Sequence, residues 1–160
     1  MIDPKQFHDH VIEPALIHFS KTYKPSINTL AARRILLGTA LCESNLTYLK
    51  QLGGGPALGL YQMEPDTHDD IWRNYVNYRD HLHEALIGFG QMSDGMISDL
   101  SYATVMARMQ YWRVKEELPD ANDAPGLAMY YKRHYNTDLG KADVIDALPN
   151  FQTAIEIIQE

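Results

Sequence analysis

Two stretches hold the residue types best suited to chemistry: Glu43-Ser44-Asn45 and, beyond the glycine run Gly53-Gly54-Gly55-Pro56, the segment Ala57-Leu58-Gly59-Leu60-Tyr61-Gln62-Met63-Glu64-Pro65-Asp66-Thr67. Glu43 falls in the last turn of an apolar helix that Asn28 is expected to cap and that runs to about Ser44. A carboxylate there faces the negative end of the helix dipole and lies against Leu41, Leu46 and aromatic residues, so the anion loses hydration and the protonated form gains. The expected result is a carboxyl group that titrates above the ordinary glutamate value of about 4.3 and donates a proton near neutral pH. Such an acid serves an oxygen leaving group that departs only once protonated. The glycine loop lets backbone approach a bound molecule, and Gln62 and backbone groups can hydrogen-bond its polar edges.

The order and spacing of Glu43-Ser44 and Gly59-Leu60-Tyr61-Gln62-Met63-Glu64-Pro65-Asp66-Thr67 resemble the lysozyme-like superfamily. Specifically, they resemble the soluble lytic transglycosylase signature, in which Glu-Ser precedes Gly-Leu-x-Gln-x-x-Pro-x-Thr. The resemblance runs from about Thr39 to Thr67. A later family motif, Ala-Tyr-Asn-x-Gly, places its tyrosine beside the acid; the nearest counterpart is Tyr135-Asn136, with His134 in place of the alanine and Gly140 further along than the family's glycine. The resemblance implies a mainly α, lysozyme-like α+β fold: a helical bundle around a buried central helix, with a small β-containing, glycine-rich loop segment. It also implies cleavage of the β-1,4 bond between N-acetylmuramic acid and N-acetylglucosamine in peptidoglycan, with Glu43 as general acid and base and no cofactor.

How the reaction would finish stays open. A hydrolase commonly uses a second carboxylate about 5 Å or roughly 6.5–9.5 Å away, whereas a transglycosylase lets the substrate's own 6-hydroxyl attack and needs one acid. Glu64 is the candidate second carboxylate, since goose-type lysozymes of the same superfamily carry one two residues after the corresponding glutamine. The local motif fits the transglycosylase better. Ser44, Gly59, Tyr61, Gln62, Tyr131, Tyr135 and Asn136 complete the expected substrate-binding set.

Plainer readings stand beside each. Glu43 alone suits a helix-end ion pair with Arg33 or Arg34, Gln62 a structural hydrogen bond, Ser44 a helix-end cap, and Glu64 a cap for the helix that Pro65 opens. Tyr61, Tyr130, Tyr131 and Tyr135 suit either a sugar groove or the core; Trp72, Trp112, Met92, Met96, Met106 and Met109 read as core. Cys42 reads as inert packing. His8/His10 and His81/His83 sit two apart on expected helices, pointing about 200° from each other, which argues against a shared metal. As a whole, a non-catalytic adaptor of a phage particle or a chitin-type glycosidase would use the same fold.

The elements that must position these residues read as helices. Phe7, Val11, Ala15 and Phe19 recur every four residues after Asp3-Pro4, with a kink expected at Pro14. Ala57 to Gln62 reads as extended. Helices are expected from Pro65, over Arg79 to Gln91, over Ser101 to Lys115 (the longest after the loop), from Asp123 to Tyr135, and from Pro149 through Ile158.

A chain of 160 residues, 45% hydrophobic and 22% charged, fits one globular domain spanning residues 1–160. Its net charge of -7 repels polyanions and argues against nucleic acid and anionic membranes as partners. No apolar run approaches the roughly 20 residues of a membrane span, and Met1-Ile2-Asp3-Pro4 lacks the pattern of a secretory signal. An enzyme of the cell wall or periplasm would then need delivery by a phage particle, a holin or another carrier, through association with a larger virion or secretion assembly.

Overall fold

The computed structural model describes residues 1–137 and 143–160. Among them the chain is mainly helical. Helix α1 (Pro4–Phe7) starts as expected: the Asp3 side chain accepts the N–H of Gln6 at 2.9 Å, and Pro4 stands in the first turn. It continues into a π-helical turn, His8–Ile12, and then α2 (Glu13–Thr22). The expected kink at Pro14 takes the form of that wide turn, which makes room for a ring that would otherwise collide with the preceding carbonyl. The inserted residue also shifts the buried face. Phe7, Ala15 and Phe19 are buried as expected, but Ile12 and Leu16 replace the half-buried Val11.

Helix α3 (Leu30–Ser44) is the central element, packed against the π turn and against three later helices: α7 (Leu100–Trp112), α8 (Ala124–His134) and above all α9 (Val144–Ile157). Its cap is Thr29, whose hydroxyl accepts from Ala32 N at 3.0 Å, and not Asn28, whose side-chain oxygen instead accepts from Arg33 at 2.7 Å. Gly38 sets how close α9 comes: a Cβ there would lie 2.3 Å from the Phe151 ring, so only glycine admits that side chain against the helix. Arg34 is buried and tied to the C-terminal end of the chain, donating from Nε and Nη2 to Ile158 O at 3.0 and 2.7 Å and from Nη1 to Ala121 O at 2.8 Å.

After the loop come α4 (Pro65–Asn74), α5 (Asp80–Ile87), α6 (Gly95–Ser98), α7 (Leu100–Trp112), α8 (Ala124–His134) and α9 (Val144–Ile157). The last helix departs most from expectation. Asp143, accepting from Ile145 N, opens it ahead of Pro149, which sits inside, and its 14 residues exceed the 13 of α7. Burial of Ala147, Phe151 and Ala154 against α3 and α8 holds one continuous helix although the exposed Pro149 supplies no N–H. Met96, Met106 and Met109 are core; Met92, 74% exposed, is not.

The segment expected to be extended forms isolated antiparallel bridges, Lys50 with Leu58 and Leu58 with Met63, with no longer strand among the described residues. Leu58 and Met63 exchange both backbone bonds, at 2.9 and 3.1 Å, around a tight turn. Among the described residues no helix is long and apolar enough to cross a membrane.

Candidate active site

Helix α3 ends at Ser44 because Asn45 and then Leu46 adopt left-handed backbone, at φ 49° and 52°. Ser44 is buried and donates to Leu60 O at 2.6 Å and Ala40 O at 3.2 Å. Tyr135, just past α8, donates to the next carbonyl, Tyr61 O, at 2.7 Å. The Gly59-to-Gln62 turn is thereby pinned from one side by the helix that carries Glu43 and from the other by α8.

This explains three corrections to the expected binding set. Ser44 faces the turn and not a ligand. Gly59, at φ 75°, is buried against α6, where a Cβ would lie 2.2 Å from Met96 O, so its job is close packing. Tyr61 is 1% exposed and its hydroxyl pairs with Thr104 of α7 at 2.9 Å, so it is core.

The remaining expected residues converge. A cleft of about 430 Å³ is lined by Glu43, Gln62, Glu64, Tyr135 and Asn136, together with Tyr48 and Leu52 on its apolar rim. Gln62 holds φ 49° and donates from Nε2 to Gly59 O at 2.9 Å. Glu64 occupies the N-cap position of α4, as the plainer reading expected, but makes no side-chain cap bond; its exposed carboxyl borders the cleft. Thr67 and Gln110 line the cleft too, unforeseen as site residues. For Gln110 the available signal was a polar side chain beside the apolar Met106 and Met109 of one helix.

Glu43 is half-buried, and one of its carboxyl oxygens, Oε2, accepts from the Tyr131 hydroxyl and from Asn136 Nδ2 at 3.2 Å. Asn136 Nδ2 also reaches the Tyr131 hydroxyl at 3.2 Å, while its Oδ1 is buried with no hydrogen-bond partner among the described residues. Tyr131 is itself buried and does not line the cleft; it touches the acid where a stacking role had been expected. Gly140 of the tyrosine-asparagine motif lies outside the described residues.

Beneath the carboxyl lies a tyrosine cluster. Tyr131 and Tyr135 stack at 6.1 Å, Tyr111 lies 5.5 Å from Tyr135, and the Tyr111 hydroxyl pairs with Thr39 of α3 at 2.7 Å. Burial first, and then the charge of Glu43, push the Tyr131 and Tyr135 hydroxyls well above the usual phenol range, so both remain neutral donors. Burial pushes the neighbouring Cys42 thiol up to about 12 against an opposing hydrogen bond from Asn150. That fits an inert residue. The ion-pair reading of Glu43 finds no support in Arg33 and Arg34, which are engaged near the other end of α3, roughly 14 Å along the axis.

Among the described residues no group of three or more His, Cys, Asp or Glu is placed to hold a metal ion. Compared with known proteins, the chain matches no family model, no curated protein and no solved structure.

Proposed function

We propose that this chain cleaves the glycan strands of peptidoglycan at the β-1,4 bond between N-acetylmuramic acid and N-acetylglucosamine, with Glu43 as the acid and then the base, on a lysozyme-like α+β fold. The observation that carries the reading is the Glu43 carboxyl at a cleft of about 430 Å³, with Tyr131 and Asn136 both donating to Oε2. Held by both donors, the carboxyl keeps one orientation at the cleft. A positioned carboxyl that gives up a proton and takes one back is the general acid and base this cleavage needs.

Glu43 gives its proton to the glycosidic oxygen as the C1–O bond breaks. In the transglycosylase course, the substrate's 6-hydroxyl then attacks C1 and returns its proton to the Glu43 carboxylate. A 1,6-anhydro ring forms and no water is consumed. The motif supports this course, which needs one carboxyl. Glu64, exposed at the same cleft and bound to no cap, supports hydrolysis as a second reading, in which water attacks. Delivery to the wall by a phage particle or similar carrier belongs to the same proposal.

Mass spectrometry of muropeptides released from purified wall tests it. Anhydro ends, one water lighter, mark transglycosylation, and reducing ends mark hydrolysis. On the transglycosylase course Glu64→Gln should lower kcat/KM by less than about tenfold, whereas loss of a hydrolase's second carboxylate costs about a hundredfold or more. Wild-type protein that releases neither product would reject the assignment.

A further inference from the structure

Gln110 lies on α7, outside residues 39–67, and its side chain lines the cleft. Its amide has one possible orientation. Nε2 donates to His134 O at 3.0 Å, a group that only accepts, and Oε1 accepts from Arg113 Nη2 at 2.9 Å, a group that only donates. Arg113 is held in turn by Asp70, with Nη1 to Oδ2 at 2.6 Å. His134 of α8 and Arg113 at the end of α7 thus meet at one amide, which α4 reaches only through Arg113. A primary amide carries two N–H groups and two lone pairs on oxygen, so these partners leave Gln110 one N–H and one lone pair.

We infer that Gln110 determines specificity in the cleft by donating its remaining N–H to the acetamido carbonyl of an N-acetylated sugar. This rests on the glycan-cleavage reading above. The carbonyl is a strong neutral acceptor that a plain sugar lacks, and the fixed amide loses little freedom on meeting it. The 2-hydroxyl of glucose is two bonds shorter than the acetamido carbonyl and leaves the N–H unpaired, which is how a polar site rejects an analogue.

Calorimetric titration tests this in the Glu43→Gln background, where nothing is cut, using the β-1,4 tetramers of N-acetylglucosamine and of glucose. Both are uncharged, so the acidic protein treats them alike at long range. The parent should prefer the acetylated tetramer by roughly tenfold or more. Gln110→Ala and Gln110→Glu should bring the ratio close to one. Arg113→Ala, which frees the amide without removing it, should lose part of it. Thermal unfolding confirms that each variant is folded. A folded Gln110→Ala protein that keeps the parental ratio overturns the role of Gln110 and leaves the glycan reading standing. Where tetramer binding is too weak to titrate, kcat/KM on peptidoglycan decides: it should fall through KM in Gln110→Ala, and an unchanged value overturns the inference. A wild-type protein that neither binds these oligomers nor releases muropeptides overturns the glycan reading, and this inference with it.

Discussion

Two clusters in this molecule join a carboxylate to a buried tyrosine, and they end differently. Around α4, Trp72 Nε1 donates to the Tyr102 hydroxyl at 3.0 Å, that hydroxyl meets His68 Nε2 at 2.6 Å, and His68 Nδ1 meets Asp69 at 2.8 Å. Each polar group in this chain has a partner, and His68 and Tyr102 are 1% and 0% exposed. Around α8, Tyr131 and Asn136 converge on one oxygen of Glu43 at a cleft, and the Asn136 carbonyl oxygen is buried without a partner among the described residues. A closed chain of satisfied groups holds a fold together. Incomplete polar pairing beside a cleft is where chemistry is to be sought.

The sharpest way to break this contrast is Glu43→Gln, which keeps shape and hydrogen-bonding capacity but cannot deliver the proton. Cleavage of peptidoglycan should fall by roughly a hundredfold to ten-thousandfold, the usual worth of a positioned acid. The melting temperature should move little. Muropeptide release and calorimetry on the same preparation check both halves, and a fully active variant removes Glu43 from the mechanism.

Next in size is the same chemical change made in each cluster. Tyr131→Phe removes a donor to a carboxylate, a hydrogen bond worth about 1.5–3 kcal/mol, so kcat should drop roughly tenfold to a hundredfold with a smaller effect on stability. Tyr102→Phe leaves the Trp72 N–H and the His68 ring nitrogen unpaired in the core. At about 1–3 kcal/mol for each, the melting temperature should fall by roughly 5–15 °C while the protein that stays folded keeps the proposed activity. Equal effects of the two substitutions on kcat, or equal effects on melting, would dissolve the distinction drawn between the clusters.

How much of this was legible in the sequence follows the same division. The placement of Glu43, Gln62 and Glu64 at one cleft was readable because it depends on local spacing: a helix end, a glycine turn, a proline-initiated helix. The helical character was readable from apolar periodicity, and the caps at Asp3 and Asp123 from local side-chain chemistry. Ser44, Gly59 and Tyr61 carried the same motif signal but serve packing, since a motif marks residues that shape a turn as well as those that touch a ligand. Tyr131 was legible as an aromatic residue but not as the donor to Glu43, because 88 residues separate the pair. Burial of Arg34 beneath Ile158 O, 124 residues away, gave no local signal either. The Pro149 reading failed for a related reason: burial against two other helices outweighs one missing hydrogen bond, and that burial is a property of the assembled fold.

The smallest expected effect concerns Asp70, which sits beside Asp69 of the closed cluster yet bonds to Arg113, which in turn donates to the cleft residue Gln110. The Arg113 hydrogen bond first, and then that of Asn74, hold its carboxyl below the usual aspartate range. A depressed folded value means the pair stabilises the fold above the ordinary value of about 3.9, and that the contribution disappears as pH falls through the lower folded value. The carboxylate is 46% exposed, so solvent screening keeps the contribution small. Urea unfolding of wild type and Arg113→Ala at pH 7, 4 and 3 should therefore show a modest gap at neutral pH that narrows below about pH 4. A gap that widens with acid would mean that Arg113 stabilises the protein through its packing against Gln110 and not through Asp70, and the bridge between the two regions would then be one of shape and not of charge.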